Sequence, residues 1–480
     1  MIVLSVLIVP LTTAAILMAL WTHPEVRRVI AVLGSLAHLG AAGFLFNAVA
    51  ATGPISFAVG SWPAPFGIEF RADFLGASMA LVTALVGLVI NLYTTNDLDE
   101  PRRRFGFHPL VFVLLAGLSG AFTTNDLFNL FVWFECILLS SFVLLSLGGE
   151  KQQIRGGINY VVPNLFSSML FLTGLGLIYG ATGTLNMDHL GTRTGLVEPG
   201  LMTGIAALFL TAFGLKAALF PFFAWLPTSY HTPPFAVSAL FAGLLTKVGV
   251  FALIRFFTKV WPEPNVVVTS VLLWLSIGGL VVAGVAAVRQ TTLRRSLGYL
   301  LVSHIGFLTG GLALGSPTAL AMVNLYMAHH MIVICGLYLV AGLITTTTGS
   351  ESLRGAGGLA NSHPLIAWLL GLGFLALAGI PPLSGFAPKV GLIVEAFRLN
   401  QPALVVGMLL SSLFTIFCLA KLWMVYAWQP STEKSPALHP DRLRLVATTL
   451  LCASMVGLSL ALGPVTQLAS QSQSSQEGSS

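Results

Sequence analysis

The stretch PPFAVSALFAGLLTKVGVFALIR, residues 233–255, decides the fold. From Phe235 to Ile254 it carries a single charge, Lys247, among apolar, small and hydroxylated residues. A run of about 20 such residues matches the hydrocarbon core of a bilayer. Lys247 stands about twelve residues into the run, close to the midplane of a helix that crosses the membrane. An ionisable group there costs about 2.5–3.5 kcal/mol on insertion scales.

The rest of the chain repeats this pattern. Of its 480 residues, 56% are hydrophobic and 8% charged, where soluble domains carry roughly 25% charged residues. Soluble enzymes, nucleic-acid binders and secreted disulfide scaffolds are thereby excluded. The net charge of +6 sits mostly in loops and reads as topology, not as a polyanion-binding face. Cys136, Cys335, Cys418 and Cys452 lie far apart in apolar stretches. That is the pattern of small lipophilic core residues, without metal-ligand spacing. The N-terminal MIVLSVLIVPLTTAAILMALW has no basic leader and reads as a retained first span.

Apolar runs separated by polar loops predict an all-α integral membrane protein with fourteen helices. They fall near 2–21, 29–50, 73–95, 108–122, 125–147, 158–180, 201–226, 235–257, 265–287, 295–314, 318–344, 364–400, 402–428 and 444–466. The polar tail, 467–480, is expected to be disordered. Loops after odd-numbered helices hold fourteen basic residues (Arg27, Arg28, Arg102, Arg103, Arg104, Lys151, Arg155, Arg289, Arg294, Arg295, Arg354, Lys434, Arg442 and Arg444). Loops after even-numbered helices hold five: Arg71, Arg193, Arg255, Lys259 and Arg398. The positive-inside rule therefore puts both termini on the outer face of the plasma membrane.

Two spans contain prolines that break a plain helix: Pro221 in 201–226, and Pro381, Pro382 and Pro388 in 364–400. The longer one would reach roughly 55 Å if straight, so it must be broken or bent. Interrupted helices in matching places of two halves point to a transporter-type repeat. Lys216 and Lys389 lie 173 residues apart in these two spans, and the same offset from Lys247 lands one short of Lys421. This predicts a duplication of 108–257 in 265–428, preceded by 1–107 and followed by 429–466.

Glu135, Lys216, Lys247 and Lys389 are all too deep for snorkelling to rescue. Lysines desolvated in a membrane alternate between charged and neutral, and a nearby carboxylate gates them. With water between them such groups form a relay, to which the buried His304, His329 and His330 add. Adjacent helical residues point about 100° apart, so one of His329 and His330 is expected to face it. Lys421 reads as a snorkeller, with a lesser relay reading beside it. Glu395 and Arg398 read as a solvated or subunit-contact pair, and Asp126 as a helix-start residue.

DLFNLFVWFE, FGLKAALFPFFAWLP, the 233–255 run, RRSLGYLLVSHIGF and GIPPLSGFAPKVGL resemble the antiporter-like subunits shared by Mrp sodium/proton antiporters and respiratory complex I, and most of all the D subunit of the Mrp complex. The resemblance covers most of the chain. It implies two inverted five-helix repeats, each with one interrupted helix. It further implies Glu135 and Lys216 as a coupling pair, Lys247, His304 and His329 as the continuing path, and Lys389 in the far half-channel. Ile334 stands where many relatives carry a lysine, leaving His329, His330 and water to bridge that position.

The expectation is a proton-conducting subunit of a multisubunit Na⁺/H⁺ antiporter, partnered by other membrane subunits, with no cofactor, metal or nucleic acid. No buried carboxylate cluster suggests a Na⁺ site, so the cation would cross elsewhere. The alternatives are a proton-pumping membrane subunit of a quinone oxidoreductase or hydrogenase, whose redox groups would belong to partners, and a structural scaffold.

Overall fold

The computed structural model describes residues 1–95, 102, 105–263, 265–353, 355–430 and 440–461. The expectations placed on Arg103, Arg104, Arg354, Lys434 and the 467–480 tail lie outside them. The described chain is a helical membrane protein. Its long helices are α1 (Ile2–Ala19), α2 (Pro24–Thr52), α3 (Phe74–Thr94), α4 (Phe107–Thr123), α5 (Leu127–Ser146), α6 (Lys151–Thr182) and α7 (Pro199–Ala217). They continue with α8 (Phe235–Val260), α9 (Val266–Val288), α10 (Leu293–Leu314), α11 (Pro317–Thr348), α12 (Pro364–Ala378), α13 (Phe386–Arg398), α14 (Pro402–Trp428) and α15 (Arg442–Leu460). Among the described residues twelve helices are long and apolar enough to cross a membrane, and α4 and α12 are shorter apolar helices.

One feature departs from an all-helical chain. β1 (Ile55–Ala58) pairs antiparallel with β2 (Glu69–Ala72), with Ile55 opposite Ala72. Pro54, Pro63, Pro65, Gly60 and Gly67 crowd this segment and disfavour a helix, so its backbone bonds are satisfied by a hairpin. The hairpin lies at one end of the bundle with the start of α5, the short helix Met187–Arg193 and the end of α8. Asn125 Nδ2 donates to Glu69 and to Asp188, both at 2.9 Å, Arg71 pairs with Asp188, and Lys259 reaches Asp188 at 3.4 Å. Arg102 pairs with Glu150 at 2.7 Å and Arg294 with Glu351 at the opposite end. Arg71 and Lys259, assigned from sequence to one face, are thus brought together by contact.

The two expected breaks fall where the prolines put them. α7 ends at Ala218, a left-handed residue (φ 56°) whose N–H reaches back to Gly214 and Leu215 carbonyls. Pro221 has no N–H with which to resume the ladder, and helix returns only at Trp225. α12 ends the same way at left-handed Gly379, and α13 begins at Phe386. α11 is buried along its whole apolar window, as is α8, so these two form the centre of the bundle. α8 is also not a plain helix: Phe241–Leu245 and Phe256–Val260 are π turns, a form frequent at functional sites.

Candidate functional site

Glu135 extends from α5, Ser168 from α6 and Lys216 from the last turn of α7. The Ser168 hydroxyl donates to Glu135 Oε1 at 2.5 Å, and Lys216 Nζ donates to Ser168 Oγ at 3.2 Å. The expected Glu–Lys pair is therefore joined through a hydroxyl. Lys216 also lies 5.0 Å from the centre of the Phe134 ring, where the negative face of the π system attracts a cation. Sequence reasoning missed Ser168 because a hydroxyl inside a helix usually bonds its own i−4 carbonyl. The Ser167–Ser168 pair inside an apolar run was the available signal.

Lys247 is fully buried, and its ammonium donates to the Ala242 carbonyl at 2.7 Å. Ala242 lies within the first π turn of α8, where the backbone ladder shifts register and turns carbonyls from their i→i−4 partners. The approach of α8 to α7 depends on Gly249, two residues beyond Lys247. A Cβ there would stand 2.5 Å from the Ala217 nitrogen and 2.9 Å from the Lys216 carbonyl carbon. A cavity of about 20 Å³ lies at this seam, lined by Lys216, Asn164, Tyr160, Tyr230 and Gly249 among others. That volume holds about one water, and the polar lining gives it partners.

The histidines continue the line. His304 Nε2 meets Thr415 Oγ1 at 3.1 Å, and the His304 and His330 rings stand 5.2 Å apart, edge to face. His329 turns the other way. Its Nδ1 meets Ser384 Oγ at 2.8 Å in the α12–α13 break, and its ring stacks on Tyr326 at 5.6 Å. Gly385 makes this possible, since a Cβ there would lie 2.8 Å from His329 Nε2. Lys247 and Lys389 both lie within electrostatic reach of His304 and His330. Lys389, 3% exposed, donates to the Leu377 and Ala378 carbonyls at 2.8 and 3.2 Å, the open C-terminal end of α12, and lies 5.4 Å from the Phe307 ring centre. The break thus supplies carbonyls that hold an ammonium.

The other residues singled out from the sequence find defined partners. The Lys421 ammonium reaches the Val288 and Gln290 carbonyls at 3.0 and 3.4 Å, closing the end of α9. Glu395 pairs with Arg398 at 2.7 Å and also accepts from Ser316 at 2.6 Å, so the pair is tied to the start of α11. Asp126 caps α5, accepting from the Asn129 N–H at 2.7 Å. Among the described residues no group of His, Cys, Asp or Glu is placed to hold a metal.

Outside the membrane, burial alone would push Asp188 upward. Lys259 and Arg71, with the Asn125 amide, offset this and hold its carboxyl below the ordinary value. Glu69 behaves alike: burial raises it, but hydrogen bonds from Asn125, Asn186 and Ser56 bring it lower.

Residues 124–415 match the family model described as NADH:quinone oxidoreductase/Mrp antiporter, transmembrane. The chain is 38% identical over 471 residues to a protein of Alkalihalophilus pseudofirmus named as the D subunit of a Na⁺/H⁺ antiporter, covering 97% of this chain and 95% of that one. It is 33% identical to the protein of the same name from Bacillus subtilis, covering 94% and 92%. Among solved structures it superposes on a chain of the Mrp complex from Dietzia sp. with a TM-score of 0.91 at 27% identity, covering 98% and 96%. It superposes on a chain of respiratory complex I from Thermus thermophilus with a TM-score of 0.86 at 25% identity, covering 98% and 99%. With the family model spanning more than half of the chain and a relative 38% identical over nearly its whole length, this chain belongs to the NADH:quinone oxidoreductase/Mrp antiporter family of membrane subunits.

Proposed function

We propose that the chain is the proton-conducting membrane subunit of a multisubunit Na⁺/H⁺ antiporter. The observation that carries this reading is the Glu135–Ser168–Lys216 chain of hydrogen bonds, with Glu135 half-buried and Ser168 and Lys216 buried, followed by buried Lys247, His304, His329, His330 and Lys389. A static brace needs one cation and one anion. Three buried lysines with one carboxylate leave cations that must release protons to avoid the cost of buried charge. Glu135 and Lys216 couple, Lys247 and the histidines pass the proton, and Lys389 serves the far half-channel. Proton movement is coupled to the membrane potential, about 2.3 kcal/mol per charge per 100 mV.

The architecture in this proposal has fourteen spans, with α12 and α13 forming one interrupted crossing. Residues 108–257 and 265–428 are inverted repeats, flanked by 1–107 and 429–466. The paired breaks after Ala218 and Gly379 support it. Both termini lie outside the plasma membrane, as the basic loops indicate. Partners are other membrane subunits, as the relatives' names indicate, and the sodium path belongs to them.

The test is Na⁺-driven proton movement in inverted vesicles holding the assembled complex, with assembly checked by co-purification. Lys216→Ala is expected to assemble and to lose transport. An assembled Lys216→Ala complex working at the wild-type rate would overturn the relay.

A further inference from the structure

A second line of buried polar groups lies in the N-terminal helices, away from the lysine relay. It begins at the basic end of the bundle with His108, 3% exposed, at the start of α4. His108 Nδ1 meets Asn91 Oδ1 of α3 at 3.0 Å. The Asn91 amide donates to Ser35 Oγ of α2 at 2.9 Å. One turn further along α2, His38 Nε2 meets Ser119 Oγ of α4 at 3.2 Å. All of these residues are buried. Beyond His38 the inward positions of α2 are Ala42, Leu45 and Val49, and the polar line on that helix stops.

Depth gives this line its meaning. Counting from the basic end at 1.5 Å per residue, His38 lies roughly 21 Å in and Ser119 roughly 18 Å. Glu135, counted from the same end of α5, lies roughly 17 Å in. α4 packs directly on α5, where Ile137 and Trp133 cover Gly117 and Gly120. The line therefore runs from the basic end of α4 inward to the level of the relay and ends there.

Its composition is not what bracing requires. Serine and asparagine pairs alone would hold these helices, yet the line contains two imidazoles, whose ring nitrogens can both accept and donate a proton. Since His108 Nδ1 faces the Asn91 carbonyl oxygen, it carries the hydrogen, and Nε2 is the open acceptor. Nε2 is buried without a hydrogen-bond partner among the described residues, a position that costs about 1–3 kcal/mol if it stays dry. Arg27 and Arg28 lie within electrostatic reach of His108 from α2, so the mouth of the line is basic.

We propose that His108, Asn91, Ser35, His38 and Ser119 line a water-accessible proton half-channel from the basic end of the bundle to the level of Glu135. The histidines carry the proton. Each takes a proton from water on an open ring nitrogen, Nε2 in His108, and gives it up from the same nitrogen to the next water, so the starting tautomer and its charge are restored. Asn91 orients His108 and Ser35, and the Ser119 hydroxyl marks the inner end. The role of supplying protons rests on the antiporter reading; the hydration of the line does not.

The experiment uses the assembled complex in vesicles of both orientations. Ser35→Cys and Ser119→Cys are treated with a small charged methanethiosulfonate reagent, with the unsubstituted complex as background for the four native cysteines. Labelling of both from the basic side, and of neither from the other, is expected. His38→Gln keeps a side chain able to bond Ser119 but cannot titrate, and is expected to lower Na⁺-driven proton movement at least tenfold with the apparent Na⁺ affinity unchanged. If His38→Gln fails to assemble, Ser119→Ala stands in for it with the same expected loss. Assembled Ser35→Cys and Ser119→Cys complexes that take up no label above background, or a wild-type rate in His38→Gln, would overturn the proposal. Failure of the antiporter reading shows differently, as normal labelling with no Na⁺-driven transport by the unsubstituted complex.

Discussion

The Ser168 hydroxyl donates to Glu135 at 2.5 Å, bringing together residues 33 positions apart on α6 and α5. Because Lys216 donates to the same oxygen, Ser168 holds acid and base at one remove. A hydroxyl can accept from one side while donating to the other, so Ser168 links the two without their charges meeting.

Ser168→Ala removes that bridge while leaving both charged groups in place. Transport in vesicles is expected to fall about tenfold or more, the scale of positioned proton transfer, with the complex still assembled. Ser168→Thr keeps the hydroxyl and is expected to retain more activity than Ala. Equal rates for Ala and wild type would show that Glu135 and Lys216 exchange protons by another route.

Lys389 is held by two backbone carbonyls, which accept from any cation. Lys389→Arg is therefore expected to fold and assemble. Arginine stays protonated in proteins and cannot hand its proton on, so transport should fall below about one-tenth of wild type. A wild-type rate for an assembled Lys389→Arg complex would remove titration of this residue from the mechanism.

Lys421 closes the end of α9, so its expected effect is on stability. Lys421→Met keeps most of the apolar stem and loses the ammonium. The expected loss is about 1–2 kcal/mol, read as a lower Tm of the purified complex, with transport per assembled complex unchanged. A transport defect at unchanged Tm would return Lys421 to the relay.

The cluster around Asp188 and Glu69 should respond to acid. Both carboxyls sit below their ordinary values, so the stability they contribute is fully present above those values and is lost as pH falls through the depressed ones. Asp188→Asn is expected to lower Tm at neutral pH, and the gap from wild type to close below about pH 4. A gap independent of pH would mean that packing, not charge, holds this face.

Orientation has a direct check. A cysteine at Thr192, exposed beside the short helix Met187–Arg193, should react only from outside, and one at Gln152, exposed at the start of α6, only from the cytoplasm. The reverse pattern would invert the topology.

The spans, the two breaks and the costly charges were legible in the sequence for a local reason. Apolar length, proline and a lone lysine act within one helix and show themselves over about 20 residues. The hairpin was missed because eight strand residues among prolines and glycines make no periodic signal.

What the line of residues alone determined is that Glu135, Lys216, Lys247, His304, His329, His330 and Lys389 lie in apolar helices and need partners. Tertiary structure decided which partners they have. It placed Ser168 between Glu135 and Lys216, opened a π turn to give Lys247 the Ala242 carbonyl, set His330 rather than His329 against His304, and turned Lys421 onto the end of α9. These contacts depend on how helices rotate and approach one another, and that is fixed by packing between residues far apart in sequence, such as Gly249 on the Lys216–Ala217 backbone. A helix's own sequence states what it buries; only its neighbours decide what the buried groups meet.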